Sequence, residues 1–477
     1  MKKTLEFRGG WQVAFIPVVV FLFFCVLYFI IYKAFEMYAL AMGAFVGLMV
    51  GALFVKKGNY EQFWDCVYEG VKEAVPIAVL LYVIGMFGEL IKSTNISSGF
   101  VWLADSLGVR GGLFTAVTFF AVCVISTATG SSIGTMFTCF PIFYPAGVLL
   151  GANPAVLAGA LVCAAIFGDN LAPISDTTII SAGTQEYTKK QGVADIGGCV
   201  ASRFKYSLVA GVISFFLYWM FGGGGSVGAG GTDILAQKMN PSALVMLVPV
   251  IIMLVIAVKT HNIYIAITAG IALGTITGLA FHLLTFGQII SVADGAPAGF
   301  LTGGIKNMMA TVTLVLSVYG IMGVLNGALA LEKITDAILA SKLGQTVTGA
   351  EIAMMLGISI MTLLFGGVTS ASMTTFGKVQ NELGKRFGLH PYRRANLLDG
   401  FANAIVLVVP FLSVFVFIGG LLTQGYEDIA APLSLAQISS GMFYCIALFF
   451  VLLFSVITGW GREYEGPDGK PLRKPIG

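Results

Sequence analysis

Two carboxylates on either side of a helix breaker are the residues with the clearest chemical potential in this sequence. Asp169 and Asp176 flank Pro173 in the run FGDNLAPISDTT, which interrupts an otherwise apolar segment. Proline removes a backbone donor, so carbonyls in the preceding turn lose their helical partners. Carboxylate, hydroxyl and carbonyl oxygens suit a small hard cation better than a soft metal. The residues predicted to bind this ion are Asp169, Asn170, Ser175, Asp176 and Thr177.

The depth of Asp169 in its apolar segment strengthens this interpretation. The residue lies about midway along 153–180, where a charge costs several kcal/mol unless it is paired, protonated or faces a polar cavity. No Lys or Arg occurs in the same apolar run, so we expect a bound cation or a proton to balance the charge. The structural alternative is that these polar residues only cap the second half of a broken helix.

Two hydroxyl-rich segments extend the candidate site. STATGSS at 126–132 breaks the apolar stretch 112–150, and the second half of the chain has GGVTSAS at 366–372. We interpret each as the tip of a helical hairpin inside the membrane, although small hydroxyl residues also favour close helix packing. The predicted ion-binding residues of the first tip are Thr129, Ser131 and Ser132. The residues predicted for a solute or second ion are Thr369, Ser370, Ser372 and Asn403.

For Asp399 we expect an interfacial ion pair with Arg393 and Arg394.

Composition places the chain in a lipid bilayer. Hydrophobic residues are 57% and charged residues 11% of 477, whereas soluble proteins carry roughly 25% charged residues. The net charge of +3 is too small and dispersed for nucleic-acid binding. Seven cysteines without a CxxC pair and three scattered histidines predict free packed thiols and no resident metal or cofactor. The partner predicted from composition is the lipid bilayer.

Charge-free runs of about 20 residues predict the membrane crossings. In the first half these are 13–32, 38–55, 74–92, 153–180 and 204–222, and the hairpin 112–150 returns to its own side. The second half repeats the plan, since Pro17, Ser132 and Pro173 correspond to Pro249, Ser372 and Pro410. An odd number of crossings inverts the second copy.

The predicted fold is therefore an all-α polytopic membrane protein with two inverted repeats. Each repeat has five transmembrane helices plus one re-entrant helical hairpin, and one of its helices is broken. The predicted segments are a first repeat 1–222, an external Gly-rich linker 223–241, a second repeat 242–461 and a cytoplasmic tail 462–477, with the second hairpin at 351–389 and the second broken helix at 395–420. With both termini in the cytoplasm, 22 basic residues lie inside and 5 outside, which satisfies the positive-inside rule. Arg203 is counted among the cytoplasmic ones.

The string GDNLAPISDTT, downstream of the TGSS tip, resembles the NhaC family of sodium/proton antiporters within the ion-transporter superfamily. That resemblance implies a scaffold domain and a moving transport domain, often in a homodimer, in a bacterial cytoplasmic membrane. It also implies that Asp169, Asn170, Ser175, Asp176 and Thr177 form the ion site. The family includes members that exchange organic acids such as malate and lactate.

Two functions remain open from the sequence. The first is Na⁺/H⁺ antiport by alternating access, in which Asp169 binds either ion at the midplane. The alternative is a Na⁺- or H⁺-coupled transporter or exchanger of a small organic acid or amino acid, for which the second tip and Asn403 provide polar groups. An intramembrane hydrolase is disfavoured, because no His or Lys lies at a similar depth to act as a base. We therefore predict that the protein is not an enzyme.

Overall fold

A computed structural model of the chain shows a fold built almost entirely of helices. The structure describes residues 4–32, 37–225, 239–260, 262–293, 295–339, 345–410, 412–426 and 429–475. Within these ranges, eight helices are long and apolar enough to cross a membrane, and four shorter apolar helices accompany them. The predicted all-α polytopic membrane fold is confirmed, while the inverted relation between the halves stays a prediction.

In the described residues of the first half of the chain there are nine α-helices. A 3₁₀ turn at Trp11–Phe15 precedes the first of them, and a π-helical turn at Val26–Ile31 continues it. In chain order the nine are α1 Ile16–Cys25, α2 Met37–Ala52, α3 Tyr60–Ser93, α4 Ile96–Ser106, α5 Gly111–Thr129, α6 Ser132–Leu149, α7 Pro154–Leu171, α8 Asp176–Gly183 and α9 Ile196–Phe221.

The second half follows a similar order. It begins with a 3₁₀ turn, Pro241–Met246, and includes a two-stranded hairpin of β1 Ser291–Ala293 and β2 Ala296–Ala298. Its helices are α10 Leu247–Thr260, α11 Ile263–Ala280, α12 Phe286–Ile289, α13 Phe300–Gly327, α14 Ala330–Leu339, α15 Val347–Leu364, α16 Thr369–Arg386, α17 Pro391–Ala402, α18 Val414–Leu422, α19 Leu435–Ser440 and α20 Phe443–Thr458. A short 3₁₀ turn, Ile405–Val408, lies between α17 and α18, and strands β3 Tyr464–Glu465 and β4 Pro471–Leu472 follow α20.

Helices α3 and α13 pack closely along one another and join the two halves. Glycines make the approach possible: a Cβ atom on Gly323 would lie 2.9 Å from the carbonyl carbon of Cys66, and one on Gly70 would lie 3.0 Å from the Cα atom of Gly323. Small residues allow helix backbones to come close together in a membrane, where packing drives association. Helix α3 also packs against α6 of the first hairpin.

Several predicted boundaries differ from the observed ones. Helix α3 starts at Tyr60, well before the predicted 74, because its first turns carry charged residues that the charge-free criterion excluded. Helix α9 starts at Ile196 instead of 204, after an Asp195 N-cap. The segment 462–477, predicted as a cytoplasmic tail, contains the antiparallel strands β3 and β4. Most of the predicted linker 223–241 lies outside the described residues.

Candidate ion-binding site

The break between α7 and α8 follows directly from Pro173. In a continuous helix the carbonyl of Asp169 would accept a hydrogen bond from the backbone N–H four residues later, but that residue is proline and has none. The hydroxyls of Thr177 and Thr178 replace it, each donating to the Asp169 carbonyl oxygen at 3.0 Å. The neighbouring carbonyl of Asn170 accepts from the Nη1 atom of Arg203 at 2.9 Å. The break is therefore closed by side chains of the segment that follows it and of α9.

The Asp169 carboxylate is buried and held by hydroxyl groups. Ser175 donates to its Oδ1 atom at 3.2 Å, and the Ser132 hydroxyl of α6 also lies against it. The side chain of Asp169 is 3% exposed, and it lies within electrostatic range of Asp176 and Asp399. Burial of a carboxylate in this way is costly unless a proton or a cation balances its charge.

A cavity of about 300 Å³ lies in front of the two carboxylates. Both hairpin tips, the broken helix α7–α8, and helices α3, α10, α13 and α18 contribute to it. Its polar lining residues are Thr129, Ser131, Ser132, Asp169, Asp176, Tyr319, Thr369 and Ser370. Among the described residues that line it, no side chain is basic. The wall is thus made of carboxylates, hydroxyls and apolar side chains.

The first hairpin tip owes its shape to a turn at Gly130. Helix α5 ends there with a left-handed backbone at φ 65°, which favours glycine. Ser131 then caps α6 by accepting from the Gly134 N–H at 3.1 Å. The Thr129 hydroxyl lies 3.0 Å from that of Thr135. The N-terminus of α6 therefore opens towards the cavity beside Ser132.

Not every predicted site residue reaches this cavity. Ser175 and Thr177 contact Asp169 from the side, and their hydroxyls lie 2.9 Å apart. Asn170 points away, where its Nδ2 atom donates to the Tyr444 hydroxyl at 3.3 Å. Ser372 is buried in packing, 2.9 Å from the Thr362 hydroxyl. The cavity therefore gathers seven of the twelve predicted residues, namely Thr129, Ser131, Ser132, Asp169, Asp176, Thr369 and Ser370.

The predicted interfacial ion pair of Asp399 is wrong. Asp399 is fully buried, and its Oδ2 atom lies 2.6 Å from the Nη1 atom of Arg203. Arg393 instead pairs with the buried Glu351 at 2.8 Å, and Arg394 donates to the Asn381 side chain at 2.5 Å. The physical reason is that α9 begins earlier than predicted, which places Arg203 inside the fold. Asn403 belongs to this group too, because its Nδ2 atom donates to Asp399 Oδ1 at 3.1 Å.

Sequence reasoning missed Arg203, Thr178 and Tyr319 as neighbours of the site. A signal for Arg203 exists in the sequence of α9. The buried positions of this helix recur at helical spacing, at Arg203, Tyr206, Ser207, Ala210, Gly211, Ser214 and Tyr218. Extending that stripe backwards by one turn from Ser207 places Arg203 on the buried face.

The chain is similar to known transporters in its sequence. The family described as the Na⁺/H⁺ antiporter family matches residues 10–196, which include the first hairpin and the broken helix. The resemblance to the NhaC family is confirmed. The Na⁺/H⁺ antiporter NhaC of Bacillus subtilis is 24% identical over 316 residues, which cover 62% of this chain and 68% of that protein.

Two further proteins extend the comparison. The malate-2H⁺/Na⁺-lactate antiporter of Bacillus subtilis is 23% identical over 376 residues, covering 75% of this chain and 76% of that one. Among solved structures, Neisseria gonorrhoeae MtrF, described with a class of antimetabolite efflux pumps, is 11% identical with a TM-score of 0.44. The match covers 93% of this chain and 96% of MtrF. The NhaC and malate/lactate proteins that resemble this chain are thus both named as antiporters.

Proposed function

We propose that the protein is a secondary active transporter that exchanges Na⁺ for H⁺ by alternating access, with Asp169 and Asp176 as the ion-binding carboxylates. The observation that carries this proposal is the cavity wall, which has two carboxylates and, among its described residues, no basic side chain. The negative charge of these two carboxylates must therefore be balanced by a cation or a proton that enters the cavity. A bound Na⁺ or protons provide this balance, and competition between them couples their movements.

The hydroxyl groups around the carboxylates fit this role. Ser132 and Ser175 stand beside Asp169, and Ser370 stands beside Asp176. Na⁺ is a hard cation that binds oxygen ligands, so a dehydrated ion finds suitable neighbours here. The transported ion is the substrate, and we assign no resident metal, cofactor or enzymatic step to the site.

The division of the cavity lining supports alternating access. Tyr319 of α13 and the apolar residues Ile77 and Leu80 of α3 line the cavity, whereas the hairpin tips and the broken helix provide most of its polar groups. In inverted-repeat transporters, one group of helices rocks against the other around a fixed site. We assign α3 and α13 to the scaffold, and the hairpins with the broken helices to the moving part.

A coupled transporter of a small organic acid or amino acid is the second candidate. The cavity volume of about 300 Å³ favours it, because pockets for small organic ligands start at about this size. Thr369 and Ser370, at the N-terminus of α16, would face such a solute. One relative is named for exchanging malate and lactate, and the proposal for this chain takes that class of solute as its alternative.

The membrane setting belongs to the same proposal. We place the chain in a bacterial cytoplasmic membrane as a homodimer with both termini in the cytoplasm. Arg203 lies inside the fold, so it no longer counts, and the distribution of the remaining 21 of the 22 basic residues on one side and 5 on the other supports this orientation. Labelling of single cysteines at 189–190 and in the C-terminal segment from the cytoplasmic side only would agree with it, whereas outside labelling would contradict it.

Proteoliposomes test the function. Purified protein is reconstituted with a pH-sensitive dye inside, and Na⁺, Li⁺ or K⁺ gradients are imposed with and without organic acids or amino acids. Antiport predicts a Na⁺-driven pH change without any added solute. A pH change that requires an organic acid or amino acid would favour the second candidate, and no response to any combination would contradict both.

A further inference from the structure

The guanidinium group of Arg203 lies next to the ion site and makes hydrogen bonds to three helices that adjoin the helix breaks, namely α7, α8 and α17. It donates from Nη1 to the Asn170 carbonyl at the end of α7, and from Nη2 to the Ser181 hydroxyl of α8 at 3.1 Å. Its Nε atom donates to Asn396 of α17 at 3.1 Å. The side chain is 2% exposed, so these contacts replace nearly all of its hydration.

The charge of Arg203 is balanced by one residue, Asp399. The two side chains form a 2.6 Å ion pair in which both are buried. Ser181 lies 3.1 Å from Asp399 Oδ2, and Asn403 donates to Asp399 Oδ1. Removal of one partner of a buried pair leaves an uncompensated charge, and arginine cannot shed its charge by losing a proton.

This pair is coupled to Asp169 through a short chain of contacts. Thr178 donates to the Asp169 carbonyl, and the same hydroxyl accepts from Arg203 Nη1 at 3.4 Å. The charged groups that face Asp169 are Asp176 from α8, Asp399 from α17 and, through Thr178, Arg203 from α9. The polar groups beside it are Ser132 and Ser175, and Tyr319 lines the same cavity.

We propose that Arg203 and Asp399 form a resident, charge-neutral pair, and that this neutrality sets the affinity of the site for Na⁺. The inference rests on the proposed function, and the two residues act on the site through their charge, since neither lines the cavity. With the pair intact, the cation meets the charges of Asp169 and Asp176. With Asp399 neutralised, the fixed positive charge of Arg203 acts on the site and opposes the binding of any cation.

Neutralising substitutions separate an electrostatic role from a purely structural one. In Asp399→Asn, Arg203 stays charged, so the KM for Na⁺ should rise by about tenfold or more with a smaller change in maximal rate. In Arg203→Gln, the Asp399 carboxylate loses its partner and no fixed positive charge remains beside the site, so the KM for Na⁺ should not rise. The double variant Arg203→Gln/Asp399→Asn should return the KM to within about threefold of wild type.

The control is a second buried pair that does not line the cavity. Glu351→Gln leaves Arg393 without its carboxylate partner, as Asp399→Asn does to Arg203, and it also removes the partner of the partly exposed Arg462. It should lower the thermal stability without changing the KM for Na⁺. Na⁺-dependent thermal stabilisation of the purified proteins measures binding in the same variants without requiring turnover.

The opposite outcomes are clear. Three results would each overturn the inference and leave the pair with a structural role alone. The first is an unchanged KM in Asp399→Asn, and the second is an equal increase of KM in Arg203→Gln. The third is a KM in the double variant as high as in Asp399→Asn. Failure of the wild-type protein to couple Na⁺ to H⁺ would instead count against the proposed function, so the two failures are distinguishable.

Discussion

Asp169 and Asp176 stand on opposite sides of one helix break and line the same cavity. Asp169 belongs to the last turn of α7, whereas Asp176 is the first residue of α8 and accepts from the Thr177 N–H at 2.9 Å. The two residues are seven positions apart in the sequence, which on a continuous helix would separate them by about two turns. The break brings both carboxylates to the place where the hairpin tips meet.

Asp176 should contribute to transport without being essential to the fold. Asp176→Asn removes the charge but keeps an oxygen that can accept from the Thr177 N–H. We expect correctly inserted protein with a loss of about tenfold in Na⁺-driven proton flux. Flux in proteoliposomes, normalised to the amount of reconstituted protein, measures the effect. Wild-type flux would restrict the site to Asp169.

The two threonine hydroxyls that replace the missing backbone donor should stabilise the break. Thr177→Val/Thr178→Val preserves the shape but leaves the Asp169 carbonyl without these donors. A buried polar group without a partner costs ~1–3 kcal/mol, so thermal unfolding should occur at a clearly lower temperature. Thr313→Val is the matched control, because that exposed hydroxyl bonds only within its own helix. Equal stability of the double variant and the control would contradict this account of the break.

Much of the site could be predicted from the sequence because its causes are local. Pro173 breaks the helix, and Gly130 with Ser131 makes the tip, whatever surrounds them. The Arg203–Asp399 pair could not be read in the same way. The pairing depends on how deep each charged residue lies in the fold. Helix α9 begins eight residues before the predicted 204, so Arg203 lies within the helix and not in the loop before it. For Ser372 the residue type agreed with a position at the hairpin tip, but in the structure its hydroxyl packs against that of Thr362. This contact also depends on tertiary packing and could not be predicted from local sequence.

The first hairpin tip should tolerate little extra volume. Ser131→Leu removes the N-cap of α6 and places an apolar side chain at the cavity. We expect transport to be lost while the protein still inserts, since an N-cap contributes only about 1 kcal/mol to stability. Ser106→Leu is the control, because this exposed serine lies at the end of α4. Normal transport by Ser131→Leu would show that the tip is packing only.

His390 should make the C-terminal strands sensitive to acid. Its Nδ1 atom accepts from the Tyr392 N–H, and its Nε2 atom lies 3.1 Å from the Gly469 carbonyl oxygen, so the neutral ring with a proton on Nε2 satisfies both contacts. Burial lowers the pKa of His390 below its ordinary value, and Arg394 acts in the same direction. Glu463, Glu465 and the Gly469 carbonyl act against it.

The sign of the pH dependence follows from this lowered pKa. The unfolded chain binds the proton more tightly, so the contribution of His390 to stability is complete above about pH 6.5 and is lost as the pH falls through the folded pKa. His390→Asn keeps a capping oxygen and removes the titration. Thermal unfolding between pH 7.5 and 5 should therefore show a smaller loss of stability in this variant. Identical pH curves for both proteins would refute the prediction.

The most direct test of the ion site is Na⁺-driven proton movement in proteoliposomes containing wild type, Asp169→Asn or Asp169→Glu. Asparagine preserves the shape and removes the charge that Na⁺ and H⁺ share. We predict that Asp169→Asn inserts normally and moves no more protons than empty liposomes, and that Asp169→Glu retains partial activity with a shifted pH profile. Full Na⁺-dependent transport by Asp169→Asn, with an unshifted pH profile, would contradict the assignment of Asp169 as the ion-binding carboxylate.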